Sequence, residues 1–246
     1  MKVETITLDF WGTLFFDGPS SDNRYKKRRM ADFASLLGAA GFAASASALD
    51  RAYEESGTYL RRIWAAYRDV PSLDHVRAIL TALDPKLPRR VPPALLTALL
   101  EAYARPALLL PPAVDDGALA ALEALKGSGY RLALVSNIMR TPGATLRQLL
   151  GRFRLLDYFE QTTFSDEVGV RKPSPEIFAL TLRAVAGEAM TAVHVGDDPL
   201  LDVQGAQAAG MRVIQVTSSS RRKGRRPDLT ISRLAELPAA VERLDR

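Results

Sequence analysis

The chain has no cysteine and only two histidines among its 246 residues. The first absence excludes disulfides, thiol nucleophiles and cysteine-built zinc sites. The second excludes a multi-histidine metal centre. A metal held by this chain must therefore sit among oxygens, which favours Mg²⁺. No apolar run is long enough to span a bilayer, and no charged-then-apolar leader opens the chain. No membrane contact is therefore expected, and the cytoplasm is the expected compartment. No segment repeats another. A large excess of either charge is also lacking. The net charge is +5, which suits an anionic substrate without calling for nucleic acid. What remains is 47% hydrophobic and 25% charged residues, an ordinary soluble balance in a chain long enough for one large domain or one domain with an insert.

The stretch that organises the rest is Val3-Glu4-Thr5-Ile6-Thr7-Leu8-Asp9-Phe10-Trp11-Gly12-Thr13-Leu14. Its first half is β-branched and aliphatic, without Gly or Pro, and predicts a strand buried on both faces of a parallel sheet. The run ends in a carboxylate, Asp9. Desolvating a carboxylate at a strand end is costly unless it is hydrogen-bonded, paired or metal-bound. In open α/β sheets that lip is also where ligands bind. The simpler alternative is that Asp9 caps a helix starting near Gly12.

From Pro19 to Arg105 the pattern is helical throughout. Helices are expected after the basic run Arg24 to Arg29, over Ser47 to Tyr67, after a cap at Ser72 or Asp74, and from Pro92-Pro93 to a stop at Pro106. The basic run reads as the wet start of its helix, with a phosphate-attracting rim as the alternative. Arg61, Arg62 and Arg68 are further cleft candidates. The aromatics Tyr53, Tyr59, Trp64 and Tyr67 read as core. Beyond residue 108 short apolar strands alternate with helices, which argues for a parallel sheet wound on both faces. The expected division is an α/β core over 1–16 and 108–246 and an all-helical insert over 17–107. Strand ends deliver Ser136-Asn137 and Asp197-Asp198, and a segment read as loop, Ser165 to Val170, delivers Lys172. The Ser-rich, basic stretch Ser218 to Pro227 reads as a solvated loop; it lacks interleaved aromatics, so base stacking is unsupported. His75 and His194 read as packing or surface residues, with His194 pointing away from any chemistry.

Four segments carry a family resemblance. They are Asp9-Phe10-Trp11-Gly12-Thr13 after an apolar strand, Leu132 to Ser136-Asn137, Val170-Arg171-Lys172-Pro173, and Gly196-Asp197-Asp198 with Asp202 downstream. In this order they resemble the motifs of the haloacid dehalogenase-like (HAD) hydrolase superfamily, over roughly Val3 to Leu237. The resemblance implies a doubly wound, mainly parallel Rossmann-like sheet with a helical cap inserted after the first motif. It also implies an Mg²⁺-dependent phosphatase-like hydrolase. Asp9 is then the nucleophile that becomes an aspartyl-phosphate. Ser136, Asn137, Gly12, Thr13 and Trp11 contact the substrate or its phosphate. Lys172 offsets charge, and Mg²⁺ lies between Asp9, the Trp11 carbonyl, Asp197 and, as a further candidate, Asp198. Asp202 supports the loop or Lys172. The implied partner is a small phosphorylated or other anionic substrate, for a monomer or homodimer.

Trp11 departs from the phosphatase pattern, which has a second Asp there. Indole keeps the backbone carbonyl and loses the carboxyl that acts as general acid and base, worth about 10²–10⁴-fold. Aryl or acyl phosphates, with stable leaving groups, would suffer least. An aromatic at this position also resembles 2-haloacid dehalogenases, in which halide leaves unprotonated and no metal is needed. Their cap arginine has no clear match in this sequence. A third alternative is a catalytically weak protein that binds a phosphorylated ligand.

Overall fold

The computed structural model describes residues 2–18, 21–217 and 225–245. Most of the basic stretch read as a solvated loop, residues 218–224, lies outside them, as do Pro19 and Ser20. Six strands form one sheet: β1 (Thr5–Leu8), β4 (Arg131–Ser136), β5 (Gln161–Phe164), β6 (Ala192–Gly196), β7 (Arg212–Val216) and β8 (Leu229–Ile231). Their order is β5-β4-β1-β6-β7-β8, and every pairing is parallel. All four residues of β1 are buried, as its unbroken aliphatic and β-branched run predicts. β1 sits centrally, flanked by β4 and β6. The chain builds outward on one side through β4 and β5, then crosses to β6 on the other. The C-terminal end of β1 is therefore the topological switch point, where a crevice opens between diverging connections.

Two further short strands, β2 (Phe15–Phe16) and β3 (Ala113–Val114), pair antiparallel. They join the two points at which the chain leaves the sheet layer and returns. Between them lie α1 (Ser21–Ala39), α2 (Ala46–Ala65), α3 (Ser72–Leu83), α4 (Leu87–Arg90), α5 (Pro93–Ala104) and α6 (Pro106–Leu109). α2 starts where Ser45 accepts a hydrogen bond from the Ala48 amide. It buries Leu49, Ala52, Tyr53, Ser56, Gly57 and Leu60, one face at helical spacing. α1 to α5 enclose their own apolar cluster, which includes Phe33, Leu37, Ile79, Leu80 and Leu99. A larger cluster lies around Ile6, Leu8, Leu134 and Val193, and a third around Val135, Ile177 and Val213. Among the described residues no helix is long and apolar enough to cross a membrane.

Three local expectations change. α3 is preceded by Pro71, and neither Ser72 nor Asp74 caps it; the Ser72 hydroxyl donates instead to Asp166 Oδ2 at 2.9 Å. The segment read as loop from Ser165 contains a short helix (Ser165–Val168), with acidic residues in its first turn and left-handed Gly169 closing it. Tyr59 and Tyr67 are about half exposed rather than core, while Tyr53 is buried.

Candidate active site

The turn after β1 is tight. The Leu14 and Phe15 amides both donate to the Phe10 carbonyl, and Gly12 adopts φ +74°. A side chain at position 12 would place its Cβ 2.5 Å from the Asp197 carboxyl carbon. Glycine is therefore required twice over, by the backbone angle and by the carboxylate lying against it. The Asp9 amide bonds the Val195 carbonyl at 2.9 Å, which ties the turn to β6 and holds Asp9 beside Asp197.

Lys172 arrives from the other flank. Asn137, just after β4, clamps the Lys172 backbone with two bonds: its Oδ1 accepts from the Lys172 amide at 2.8 Å, and its Nδ2 donates to the Lys172 carbonyl at 3.0 Å. The buried ammonium then reaches Asp9 Oδ1 at 2.7 Å and Asp202 Oδ1 at 2.6 Å. Asp202 is fully buried at the foot of a π-helical turn over Pro199–Gln204. Its Oδ2 accepts from the Asp198 amide at 2.9 Å. Asp198 caps the same turn, accepting from the Leu200 and Leu201 amides at 2.8 and 2.9 Å.

One ammonium thus contacts two carboxylates, Asp9 and Asp202, while Asp197 lies beside them without it. Burial opposes ionisation of Asp202, yet Lys172 and the bond from His194 hold it well below the usual carboxylate range. Asp9 is left under-compensated. Burial pushes it up to about 7 against the pull of Lys172, with Asp202 and Asp197 adding to the rise. Burial and then Asp202 raise Asp197 to about 6. Ligand oxygens of Asp9, Asp197 and Asp202 lie within 4.8 Å of one another. Both Asp202 oxygens are already engaged, so Asp9 and Asp197 are the two carboxylates with capacity for a cation. An all-oxygen, under-compensated pair fits Mg²⁺.

A cavity of about 420 Å³ opens over these groups, and Asp9, Trp11, Asn137, Lys172, Asp197 and Asp198 line it. Gly12, Thr13 and Ser136 do not. Ser136 is fully buried, and its hydroxyl is 3.5 Å from the Asn137 carbonyl. The Thr13 hydroxyl is buried without a hydrogen-bond partner. Trp11 packs its edge against Phe10, with centroids 4.9 Å apart.

A family model described as haloacid dehalogenase-like hydrolase matches residues 3–210. The chain belongs to the haloacid dehalogenase-like hydrolase family. Among curated relatives, the haloacid dehalogenase-like hydrolase domain-containing protein 3 of Mus musculus is 38% identical over 106 residues, 43% of this chain and 41% of that protein. The glyceraldehyde 3-phosphate phosphatase of Pyrococcus abyssi is 36% identical over 98 residues, 40% of each chain. The matches thus span about two fifths of the length of these curated relatives. A 2-haloacid dehalogenase structure from Pseudomonas syringae pv. Tomato DC3000 superposes with a TM-score of 0.70 at 24% identity, covering 98% of this chain and 99% of that one. That last likeness is one of fold.

In this haloacid dehalogenase-like chain two groups lie elsewhere than the sequence pattern suggests. His194 does not point away from the chemistry. Its Nε2 lies 3.0 Å from Asp202 Oδ1 and its Nδ1 2.8 Å from the Thr7 hydroxyl. Burial lowers its pKa, so the ring is neutral. A carboxylate only accepts, so Nε2 carries the proton and Nδ1 accepts from Thr7. Arg29 is the second. Arg24, Lys27 and Arg28 are the wet helix face that was expected, but Arg29 is buried and lines the cavity. It donates to the Tyr103 carbonyl at 2.7 Å, the Arg140 carbonyl at 3.0 Å and the Thr141 hydroxyl at 3.2 Å. Arg140 and Arg171 line the cavity too, whereas Arg61, Arg62 and Arg68 are exposed and do not.

Proposed function

We propose that the chain is an Mg²⁺-dependent, phosphatase-like hydrolase that acts on a small phosphorylated substrate through a phosphoryl group carried by Asp9. The observation that carries this reading is the pairing of buried Asp9 with half-buried Asp197, while the Lys172 ammonium is already shared between Asp9 and Asp202. Mg²⁺, held by Asp9, Asp197 and the Trp11 carbonyl, would supply the positive charge that this pair and a phosphate dianion together need. The helical segment over 17–107 acts as a cap over the cavity mouth.

The free oxygen of Asp9 attacks phosphorus. The Asp9 O–P bond forms as the P–O bond to the leaving group breaks, and the electron pair departs with the leaving oxygen. Lys172, held rigid by Asn137, offsets charge on the carboxylate and on the phosphoryl oxygens. A preorganised cation in a dry site is worth more than the same charge in water. Water then cleaves the acyl phosphate, releasing phosphate and restoring Asp9, so that one difficult step becomes two. The leaving oxygen finds no acid at Trp11, so aryl and acyl phosphates are the favoured substrates. Asp198 caps the turn that presents Asp197, Asp202 fixes Lys172, and Thr13 and Ser136 shape the strand ends without facing the ligand. Arg29 and Arg140, which also line the cavity, favour a substrate with a second anionic group.

The test is 4-nitrophenyl phosphate hydrolysis with Mg²⁺, with EDTA, and by Asp9→Asn. Loss of turnover in the last two is expected; turnover indifferent to metal or to Asp9 sinks the reading. Trp11 and the Arg29 guanidinium together favour a second reading, hydrolysis of a 2-haloacid. Halide release from 2-chloropropionate in EDTA would put it ahead. Tight binding of a phosphorylated ligand without turnover would leave only a binding role.

A further inference from the structure

Lys172 is fixed by more than Asn137. The residue before it, Arg171, is buried, and its Nη1 donates to Asp69 Oδ2 at 2.8 Å and to the Ile138 carbonyl at 3.2 Å. Its guanidinium lies 4.4 Å above the Trp64 ring. Asp69 belongs to the helical segment, in the loop between α2 and α3, and its side chain is fully buried. It accepts four hydrogen bonds in all. Besides Arg171 the donors are the Ser165 hydroxyl at 2.6 Å, the Trp64 indole at 2.9 Å and the Val70 amide at 2.9 Å. Ser165 in turn accepts from the Ile138 amide at 2.9 Å.

The backbones join at the same place. The Asp69 amide bonds the Gly169 carbonyl, and the Arg171 amide bonds the Tyr67 carbonyl, both at 3.1 Å. Tyr67 takes φ +56° to make this strap, an angle that costs a non-glycine residue about 1–2 kcal/mol. A single carboxylate from the helical segment therefore holds Ser165 and Arg171, in the connection after β5, and both of these in turn bond the Ile138 backbone in the loop after β4.

We infer that Asp69 is a positioning residue for Lys172: seating the helical segment on the sheet, through the Asp69–Arg171 pair, sets the place of the lysine that serves Asp9. A buried pair of this kind adds little net stability over an apolar one, but removing one partner strands the other. Its value lies in geometry, since a displacement of about 1 Å at a reacting centre can cost about 10²-fold. The catalytic part of the inference rests on the phosphatase reading; the geometric part does not.

The experiment compares wild type, Asp69→Asn, Arg171→Gln and the double variant by amide hydrogen exchange and by 4-nitrophenyl phosphate kinetics. Asp69→Asn is expected to speed exchange at 137–139 and 169–173 while β1, β6 and β7 keep wild-type protection. It is expected to lower kcat about 10–100-fold with KM within about twofold. The double variant should be no worse than the worse single one, as for residues acting as a unit. Unchanged exchange at both loops overturns the inference. So does exchange that rises throughout the sheet, which would mark a merely structural residue, and so do additive effects in the double variant. If the wild type shows no turnover, the phosphatase reading fails, and the exchange pattern alone decides this one.

Discussion

His194 donates through Nε2 to Oδ1 of Asp202, 3.0 Å away, and both side chains are fully buried. The same oxygen receives the Lys172 ammonium. The imidazole keeps Asp202 satisfied and ionised, so that Lys172 has a fixed anchor on one side and Asp9 on the other. His194→Phe preserves the ring volume beside Phe178 but removes both polar contacts. The variant is expected to lose about 2–3 kcal/mol in urea unfolding, the cost of a buried acceptor left short. kcat should fall with it, because the anchor of Lys172 loosens. His194→Gln, which keeps a donor, should lose less of both. Equal losses in the two variants would show that packing against Phe178, not the hydrogen bond, is what matters.

Gly12 gives a sharper prediction about metal. At φ +74° an added methyl meets the Asp197 carboxyl at 2.5 Å, so Gly12→Ala must displace that carboxylate or open the turn. The backbone cost alone is about 1–2 kcal/mol. Calorimetric Mg²⁺ titration is expected to show affinity reduced by about 10–100-fold, the range for a disturbed ligand setting. Wild-type affinity in the variant would mean that Asp197 is not a ligand.

The fold and the first tier of the site were legible for one physical reason. A polar residue just past a buried, mainly apolar strand has no cheap place except a functional lip, and Asp9, Asn137 and Asp197 all stand at such ends. Lys172 was legible only through its motif, since a helical turn and a loop separate it from β5. What stayed hidden depended on pairing between distant segments. Thr7 and His194 sit at facing positions of β1 and β6, a polar pair inside two apolar strands. That oddity was visible, but strand alternation does not reveal that Asp202 folds back beneath them. Arg29 is one of six consecutive residues of which five are basic, and periodicity marks the run without saying which member turns inward. Only the seating of α1 against the Tyr103 and Arg140 carbonyls decides it. Asp69 carried no signal at all, because the two partners that tie it to the site, Ser165 and Arg171, lie about 100 residues away.

Trp11 defines the chemistry the cavity lacks. It lines the pocket above Asp9 and has no proton to give near neutral pH. Trp11→Asp is expected to raise kcat/KM on alkyl phosphates by about 10²–10⁴-fold, the usual worth of general acid-base catalysis. Aryl phosphate turnover should change little, since that leaving group needs no proton. The lost edge contact with Phe10 should cost about 1 kcal/mol of stability, measurable by urea unfolding. An equal gain on both substrate classes would point to a wider cleft rather than to a restored acid.

His75 predicts the acid side of the stability profile. It lies on α3, fully buried against α5, with Nδ1 3.0 Å from the Tyr103 hydroxyl; Nε2 has no hydrogen-bond partner among the described residues and lies 4.0 Å from Asp69 Oδ1. Burial, and then the cations Arg140, Arg29 and Arg171, lower its pKa to about 3. In the unfolded chain the same ring titrates at about 6.5. Between those values the unfolded state binds a proton that the folded state refuses, so stability falls as pH falls. The loss begins near pH ~6.5, reaches about 2 kcal/mol by pH ~5, and levels off near the folded pKa. Urea unfolding of wild type and His75→Asn at these two pH values reads the effect as the difference between the two proteins. The wild type should lose about 2 kcal/mol more than the variant over that interval. Parallel losses would mean that the ring is protonated, or solvated, in the folded protein.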